Sequence, residues 1–366
     1  MIEISSSLVL LDILLIVATY LLIKNSIKTN YTINKFSVGL AYILFALLCL
    51  FSFYDTDWFH YQEIMSILKQ SRFIEYGLDT NMEPGYISIA ESVGYKYIPF
   101  RAIVWGASLL SFIYTIKRYN LNAARSLLFI LPFVIIFTYA RVTLTMALAF
   151  FAFSFIVKPI KNRKIISYTL ALSVLCIVLL YLHKSAIILL PVFVLSLFHF
   201  NKKSVYTFLP ILILIILSMN LVIGYYNTFL GDVNAEYLDR YMEESTSEQG
   251  IGAKVYRFMS STPFYLIALY IINCIRKGVY KKWPYYIKAN ANATIWTILI
   301  STAFIFSPNP VLFYRFLNYA MIPCALTTCF ASTIKEEQKR VSKILNINIF
   351  ILFYILIYRY YLFTNY

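Results

Sequence analysis

Arg141 is the only charge in the apolar run from Ser126 to Val157, SLLFILPFVIIFTYARVTLTMALAFFAFSFIV. Charges inside membrane-spanning segments are rare and usually functional, so this residue sets the first question. Other groups with chemical potential stand at comparable places. His183 and Lys184 interrupt the apolar stretch YLHKSAIILLP, and Arg315 interrupts SPNPVLFYRFLNY. Two carboxylates precede them in the chain. Asp57 would share a helix face with His60 and Tyr61, by the i, i+3, i+4 rule. Glu83 stands before Pro84-Gly85, where a helix is not expected to continue, so its carboxylate should project at a turn.

These residue types suit one kind of chemistry. The planar fork of arginine matches phosphate oxygens, so Arg141 and Arg315, with Lys184 beside them, could hold a pyrophosphate. Pyrophosphate is a good leaving group that needs charge stabilisation more than a proton. An attacking sugar hydroxyl needs a general base, and a carboxylate or a neutral histidine can serve. Asp57, Glu83 and His183 are therefore the catalytic candidates, and the sequence does not choose between Asp57 and Glu83. The bland readings are a buried ion pair between Arg141 or Arg315 and an outer acid, and a simple interfacial turn at His183-Lys184. No metal or other cofactor is required by this logic. The pair Asp55-x-Asp57 leaves a metal-dependent glycosyltransferase, using a lipid-phosphate sugar, as an alternative.

Composition says where these groups must be held. Hydrophobic residues make up 60% of the chain and charged ones 13%, with mean hydropathy +0.71. Soluble domains carry about 25% charged residues, so the sequence implies an all-α polytopic membrane protein. The net charge of +15 is scattered through short loops between apolar runs, which marks orientation and not a nucleic-acid-reading face. The five cysteines all lie in apolar runs without a Cys-x-x-Cys pair and read as packing residues. The N-terminus lacks a basic leader and a small-residue cleavage site and is read as a retained first span.

Apolar stretches near 7–23, 38–54, 99–116, 126–140, 142–157, 165–182, 185–200, 205–223, 263–275, 287–306, 317–333 and 344–363 predict ten to twelve transmembrane helices in one integral membrane domain, 1–366. Alternate loops carry 21 of the 32 lysines and arginines, with Glu336 and Glu337 as their acids. The positive-inside rule makes that set cytoplasmic. The other face carries two large outer segments, 55–98 and 224–262, both richer in acids than in bases. Basic loops flank the 126–157 run on both sides, and its 32 residues at about 1.5 Å each overshoot a core of roughly 30 Å. The run is therefore expected to go out and return, with Arg141 at its outer turn. Arg315 and His183-Lys184 fall on the same face.

No phosphate-binding P-loop, dinucleotide fingerprint, zinc-protease motif or nucleophile elbow is present. The residues themselves resemble the EpsG family of bacterial polysaccharide polymerases, relatives of the Wzy O-antigen polymerases. The likeness rests on Asp57-x-x-x-Tyr61, Glu83-Pro84-Gly85-Tyr86, Arg141 with Ala147 and Ala149, His183-x-Ser185-Ala186, and Arg315-x-x-x-Tyr319. The family often has Gln after the arginine, where this chain has Val142, and Lys184 also departs from the pattern.

The resemblance implies a GT-C-like glycosyltransferase of the bacterial inner membrane, working on its periplasmic face. It implies transfer of a growing chain onto a new undecaprenyl-pyrophosphate-linked oligosaccharide repeat, for O-antigen, capsule or exopolysaccharide. Arg141 and Arg315 would hold pyrophosphate with His183 beside them, and Tyr61, Tyr86 and Tyr319 would contact sugar. Partners implied are the lipid-linked substrate, membrane lipid and a chain-length regulator protein, with no nucleic acid. The rival from another class is a flippase or exporter of lipid-linked oligosaccharide, whose charges should line a path across the membrane.

Overall fold

The computed structural model describes residues 6–28, 35–51, 58–70, 82–157, 165–198, 251–303 and 310–365, with residues 200, 201, 203 and 210 between them. Among these residues every regular element is helical. Apolar runs in a bilayer must satisfy their backbone internally, and the helix does so within one segment. The elements are α1 (Ser6–Lys28), α2 (Lys35–Phe51), α3 (Trp58–Gln70), α4 (Pro84–Ser92), α5 (Tyr97–Arg118), α6 (Ala123–Ile130), α7 (Val134–Phe137) and α8 (Ala140–Ile156). They continue with α9 (Ile165–Leu182), α10 (Leu189–Ser196), α11 (Ile251–Arg276), α12 (Tyr285–Ala303), α13 (Pro310–Asn318), α14 (Met321–Ala331) and α15 (Lys335–Asn365).

Three described helices are long and apolar enough to cross a membrane: Tyr97–Arg118, Phe258–Arg276 and Lys335–Tyr358. Shorter apolar helices accompany them at Phe36–Phe51, Ala123–Phe137, Ala140–Ile156, Leu170–Leu182 and Lys184–Ser196. Their outward faces expose large apolar side chains such as Leu110, Leu170, Ile177 and Phe350, as lipid-facing helices do. The chain is an all-α polytopic membrane protein.

The expected out-and-back run is present. α6, a 3-10 turn at Leu131–Phe133 and α7 lead to a break at Thr138-Tyr139, where Tyr139 is extended (φ −74°, ψ 106°). α8 then starts at Ala140, with Arg141 in its first turn. Two hydrogen bonds to α5 fix the direction. Trp105 Nε1 donates to the Phe137 carbonyl at 2.8 Å, and Arg118 Nε donates to the Ser154 carbonyl at 2.9 Å. α5 and α8 thus run side by side in the same sense, and α6 begins just after the end of α5, at Ala123. Phe137 lies at the opposite end from Ala123 and Ser154. Ser126 to Val157 is a hairpin with Arg141 at its tip.

Three boundaries differ from the sequence reading. Pro84-Gly85 opens helix α4 instead of ending one, because proline lacks only an N–H that the first helical position leaves unbonded anyway. The stretch read as one span over 317–333 is split at Tyr319-Ala320 into α13 and α14, so Arg315 lies on a short helix of its own. α11 begins at Ile251, inside the range 224–262 read as an outer segment. The expected span 205–223 lies outside the described residues, apart from the isolated position 210.

Residues beside the tip of the hairpin and beside its base are expected on opposite sides of the membrane. Single cysteines replacing the exposed Glu91 and Lys117, in a background without native cysteines, should react with an impermeant maleimide from opposite faces. Labelling of both from one face would contradict the topology.

Candidate active site

Glu83 organises the site. Its backbone is extended (φ −67°, ψ 147°), and its carbonyl accepts from the amides of Tyr86 and Ile87 at 3.0 and 3.2 Å, which starts α4. Its side chain does not cap that helix. It turns instead toward α8 and α9. Oε2 accepts from Arg141 Nη1 at 3.1 Å, and Oε1 lies 2.6 Å from His183 Nδ1. The Lys184 backbone amide points at Oε1 from 3.4 Å. The carboxylate is 5% exposed.

Each partner reaches this point for a local reason. His183 closes α9, its amide donating to the Leu179 carbonyl at 2.8 Å, and adopts an extended backbone (φ −158°) before a 3-10 turn at Lys184–Ile188. That kink turns the ring inward, where it is buried, while the Lys184 side chain faces out. Gly85 lets α4 approach α9. A Cβ there would sit 2.7 Å from Leu182 Cδ2 and 3.0 Å from the Tyr181 carbonyl oxygen. No larger residue fits unless the neighbours shift.

Arg141 is held from three directions besides Glu83. Its carbonyl accepts from Tyr86 Oη at 2.7 Å and from Thr145 Oγ1 at 2.8 Å. Its guanidinium lies over the Tyr61 ring, 5.6 Å from the centroid. Arg315 is half-buried on α13, near enough for its charge to act on His183. The turn after α13 is tied to the histidine turn by the hydroxyls of Ser185 and Tyr319, 2.9 Å apart.

Glu83 and His183 lie outside the spanning helices, and their ionisation follows from these contacts. Burial works against the Glu83 charge, but the hydrogen bond from His183 and the Arg141 guanidinium outweigh it. They hold the carboxyl down at about 2. Burial pushes His183 below its ordinary 6.5, against the pull of Glu83, and the charges of Arg141 and Arg315 push the same way. At neutral pH the pair is a carboxylate accepting from a neutral imidazole. With Nδ1 donating to Glu83, the ring lone pair is on Nε2.

The structure brings together Glu83, Arg141, His183, the Lys184 amide, Tyr61, Tyr86 and, across the Ser185 contact, Tyr319. Arg315 is a neighbour by charge. Asp57 and its companion Asp55 lie outside the described residues. Tyr61, Tyr86 and Tyr319 are buried at 2%, 0% and 0%, and their rings pack within the protein around the arginine and histidine. Sequence reasoning passed over Arg101, which is fully buried on α5. Its signal was the one that marked Arg141, a lone charge in the apolar run YIPFRAIVWGASLLSFIY.

A family model described as "EpsG family" matches residues 34–366. No curated protein and no solved structure matches the chain.

Both shifted groups have lowered pKa values, so the stability they add is complete above 6.5. It declines as pH falls below 6.5 through His183, and again below 4.5 toward about 2 through Glu83. Glu83→Gln should lower stability at pH 7.5 by roughly 3–5 kcal/mol, as when one partner of a buried pair is lost. It should also flatten the lower acid limb in thermal melts of detergent-purified protein. Gly85→Val should cost about 1–3 kcal/mol by overpacking. An unchanged melting temperature would contradict the close approach of α4 and α9.

Proposed function

The chain belongs to the EpsG family, a family of Wzy-like polysaccharide polymerases, and from that premise we propose a specific reaction for the Glu83–His183–Arg141 cluster. A saccharide chain is transferred from a polyprenyl-pyrophosphate carrier to a hydroxyl of a second lipid-linked repeat, on the outer face of the cytoplasmic membrane. The donor sugar C1–O bond to pyrophosphate breaks, and a C1–O bond to the acceptor forms. The hydroxyl proton goes to His183 Nε2, and the released lipid pyrophosphate carries the negative charge.

The observation that carries this reading is the hydrogen bond of 2.6 Å between Glu83 and His183 Nδ1. It aims the basic nitrogen and fixes the tautomer, in the way a carboxylate orients an active-site histidine. It also divides the roles of the candidates. Glu83 is engaged by Arg141, His183 and the Lys184 amide and is held strongly ionised, which suits an orienting group better than a base. His183, neutral near pH 7, suits the base.

Arg141 would stabilise the leaving group. A guanidinium presents its N–H donors in a fixed fork that matches phosphate oxygens. Arg315, from α13, and the outward-facing Lys184 would add positive charge for the second phosphate. The tip of a membrane hairpin puts Arg141 near the depth where a lipid pyrophosphate meets the bilayer surface, and the acidic outer segments, opposite basic loops, support the outer face. The reading needs no metal, and Asp57 remains an alternative candidate for the base in the same outer segment.

Deletion of the gene should reduce surface polysaccharide to single repeats on a gel. Unchanged chain length would reject a polymerase role, and complete loss of surface sugar would favour the flippase. Arg141→Lys should lower polymerisation at least about tenfold, because lysine keeps the charge and loses the bidentate fork. Activity should rise with pH through the His183 pKa, below 6.5, and level off above it. His183→Ala should abolish that limb together with most of the rate. Activity that survives loss of His183 with its pH profile intact would remove it as the base. Inhibition by chelator, relieved by manganese or magnesium, would favour the metal-dependent alternative.

A further inference from the structure

Arg101 has no part in the chemistry above, yet it is fully buried in the second turn of α5. Its contacts are specific. Nη2 donates to the Cys49 carbonyl at 2.6 Å, and Nη1 donates to Tyr97 Oη at 3.1 Å. The guanidinium lies over the Trp105 ring at 4.2 Å. Cys49 is in the last turn of α2, where carbonyls have no partner within the helix. A carbonyl left unbonded in a membrane environment is costly, so Arg101 caps α2.

The second bond leads toward the site. The Tyr97 ring stacks on Tyr61, with centroids 6.3 Å apart and planes 15° from parallel. Tyr61 also carries the Arg141 guanidinium, 5.6 Å from its centroid. Phe100 packs against Tyr61, Tyr86 and Tyr97 at 6.2 to 6.4 Å and closes the cluster. Two arginines therefore stand at the ends of a pair of stacked tyrosines, one anchored to α2 and one in the site.

We propose that Arg101 is a positioning residue for Arg141. By fixing the Tyr97 hydroxyl it sets the place of the Tyr97–Tyr61 stack, and the stack sets the height and tilt of the Arg141 guanidinium against Glu83 and the leaving phosphate. This rests on the role given to Arg141 above. A cation over an aromatic face is attracted by the ring quadrupole, and the geometry lost when a ring shifts is felt wherever bidentate contact matters. Without the anchor, Arg141 keeps its charge and loses its aim.

The test uses Tyr97→Phe, which keeps the ring and the Arg101–Cys49 bond and removes only the hydroxyl that links them. Polymerisation is measured in membranes from producing cells, on their own lipid-linked repeats, and normalised to the amount of this protein in the membrane. Tyr97→Phe should lower the rate about fivefold and Arg101→Gln at least about tenfold. The double variant Tyr97→Phe, Arg141→Lys should be no slower than Arg141→Lys alone, since coupled residues are not additive. Losses that multiply in the double variant would overturn the proposal. So would Tyr97→Phe at the wild-type rate while Arg141→Lys is impaired, which leaves the role of Arg141 standing. Arg141→Lys at the wild-type rate would overturn both. If Arg101→Gln lowers the protein level through the loss of its α2 contact, Tyr97→Phe still decides, because it leaves that contact in place.

Discussion

Everything in the site depends on one buried negative charge. A carboxylate taken out of water is unfavourable unless it is paired and hydrogen-bonded. Glu83 meets that condition through Arg141 on one oxygen and His183 on the other. The three residues come from α8, from the kink after α9 and from the start of α4, so satisfying the charge also registers three elements against one another. The missing Cβ at Gly85 is what lets the third element come close enough. Stability and the proposed chemistry therefore share one interaction.

The surrounding polar contacts work the same way. Backbone carbonyls freed at helix ends inside the bilayer need donors. Asn292 of α12 donates to the Ser196 and Phe198 carbonyls at the end of α10, at 2.9 and 2.7 Å. At the tip of the hairpin the Arg141 carbonyl, in the first turn of α8, takes further donors from the Tyr86 and Thr145 hydroxyls. Arg101 serves Cys49 at the end of α2. Short helices are thus made tolerable by side chains from their neighbours, and the breaks between them are where charged groups gather.

The hairpin and the face occupied by Arg141 and His183 could be read from the sequence, because loop charge and apolar length are local quantities. An ion pair between Arg141 and an outer acid was one of the readings the sequence offered, and the structure contains it; that the acid is Glu83, and that His183 takes its other oxygen, could not be read. Arg141 and His183 lie 58 and 100 residues from Glu83 in the chain, and no periodicity records such a pairing. Pro84-Gly85 was legible as a boundary but not as the beginning of a helix, since proline ends a helix from within and suits its first position equally well. The split at Tyr319 was hidden because MIPCALTTCFA continues the apolar run without an obvious breaker at the junction. Arg101 was passed over for another reason. It lies four residues into α5, close to an acidic outer segment, where a charge looks like an interfacial one.

The lengths of the two hairpin arms carry a consequence for the bilayer itself. Ala123–Phe137 and Ala140–Ile156 rise about 22 and 25 Å at 1.5 Å per residue, less than the roughly 30 Å of hydrocarbon in an average membrane. A short hydrophobic element draws the bilayer thinner around it, or draws its flanking polar groups inward. At this hairpin the lipid surface would dip toward Arg141. On the proposed reading, a phosphate-bearing lipid diffusing in the leaflet would meet Arg141 at the floor of a local depression, brought there by mismatch.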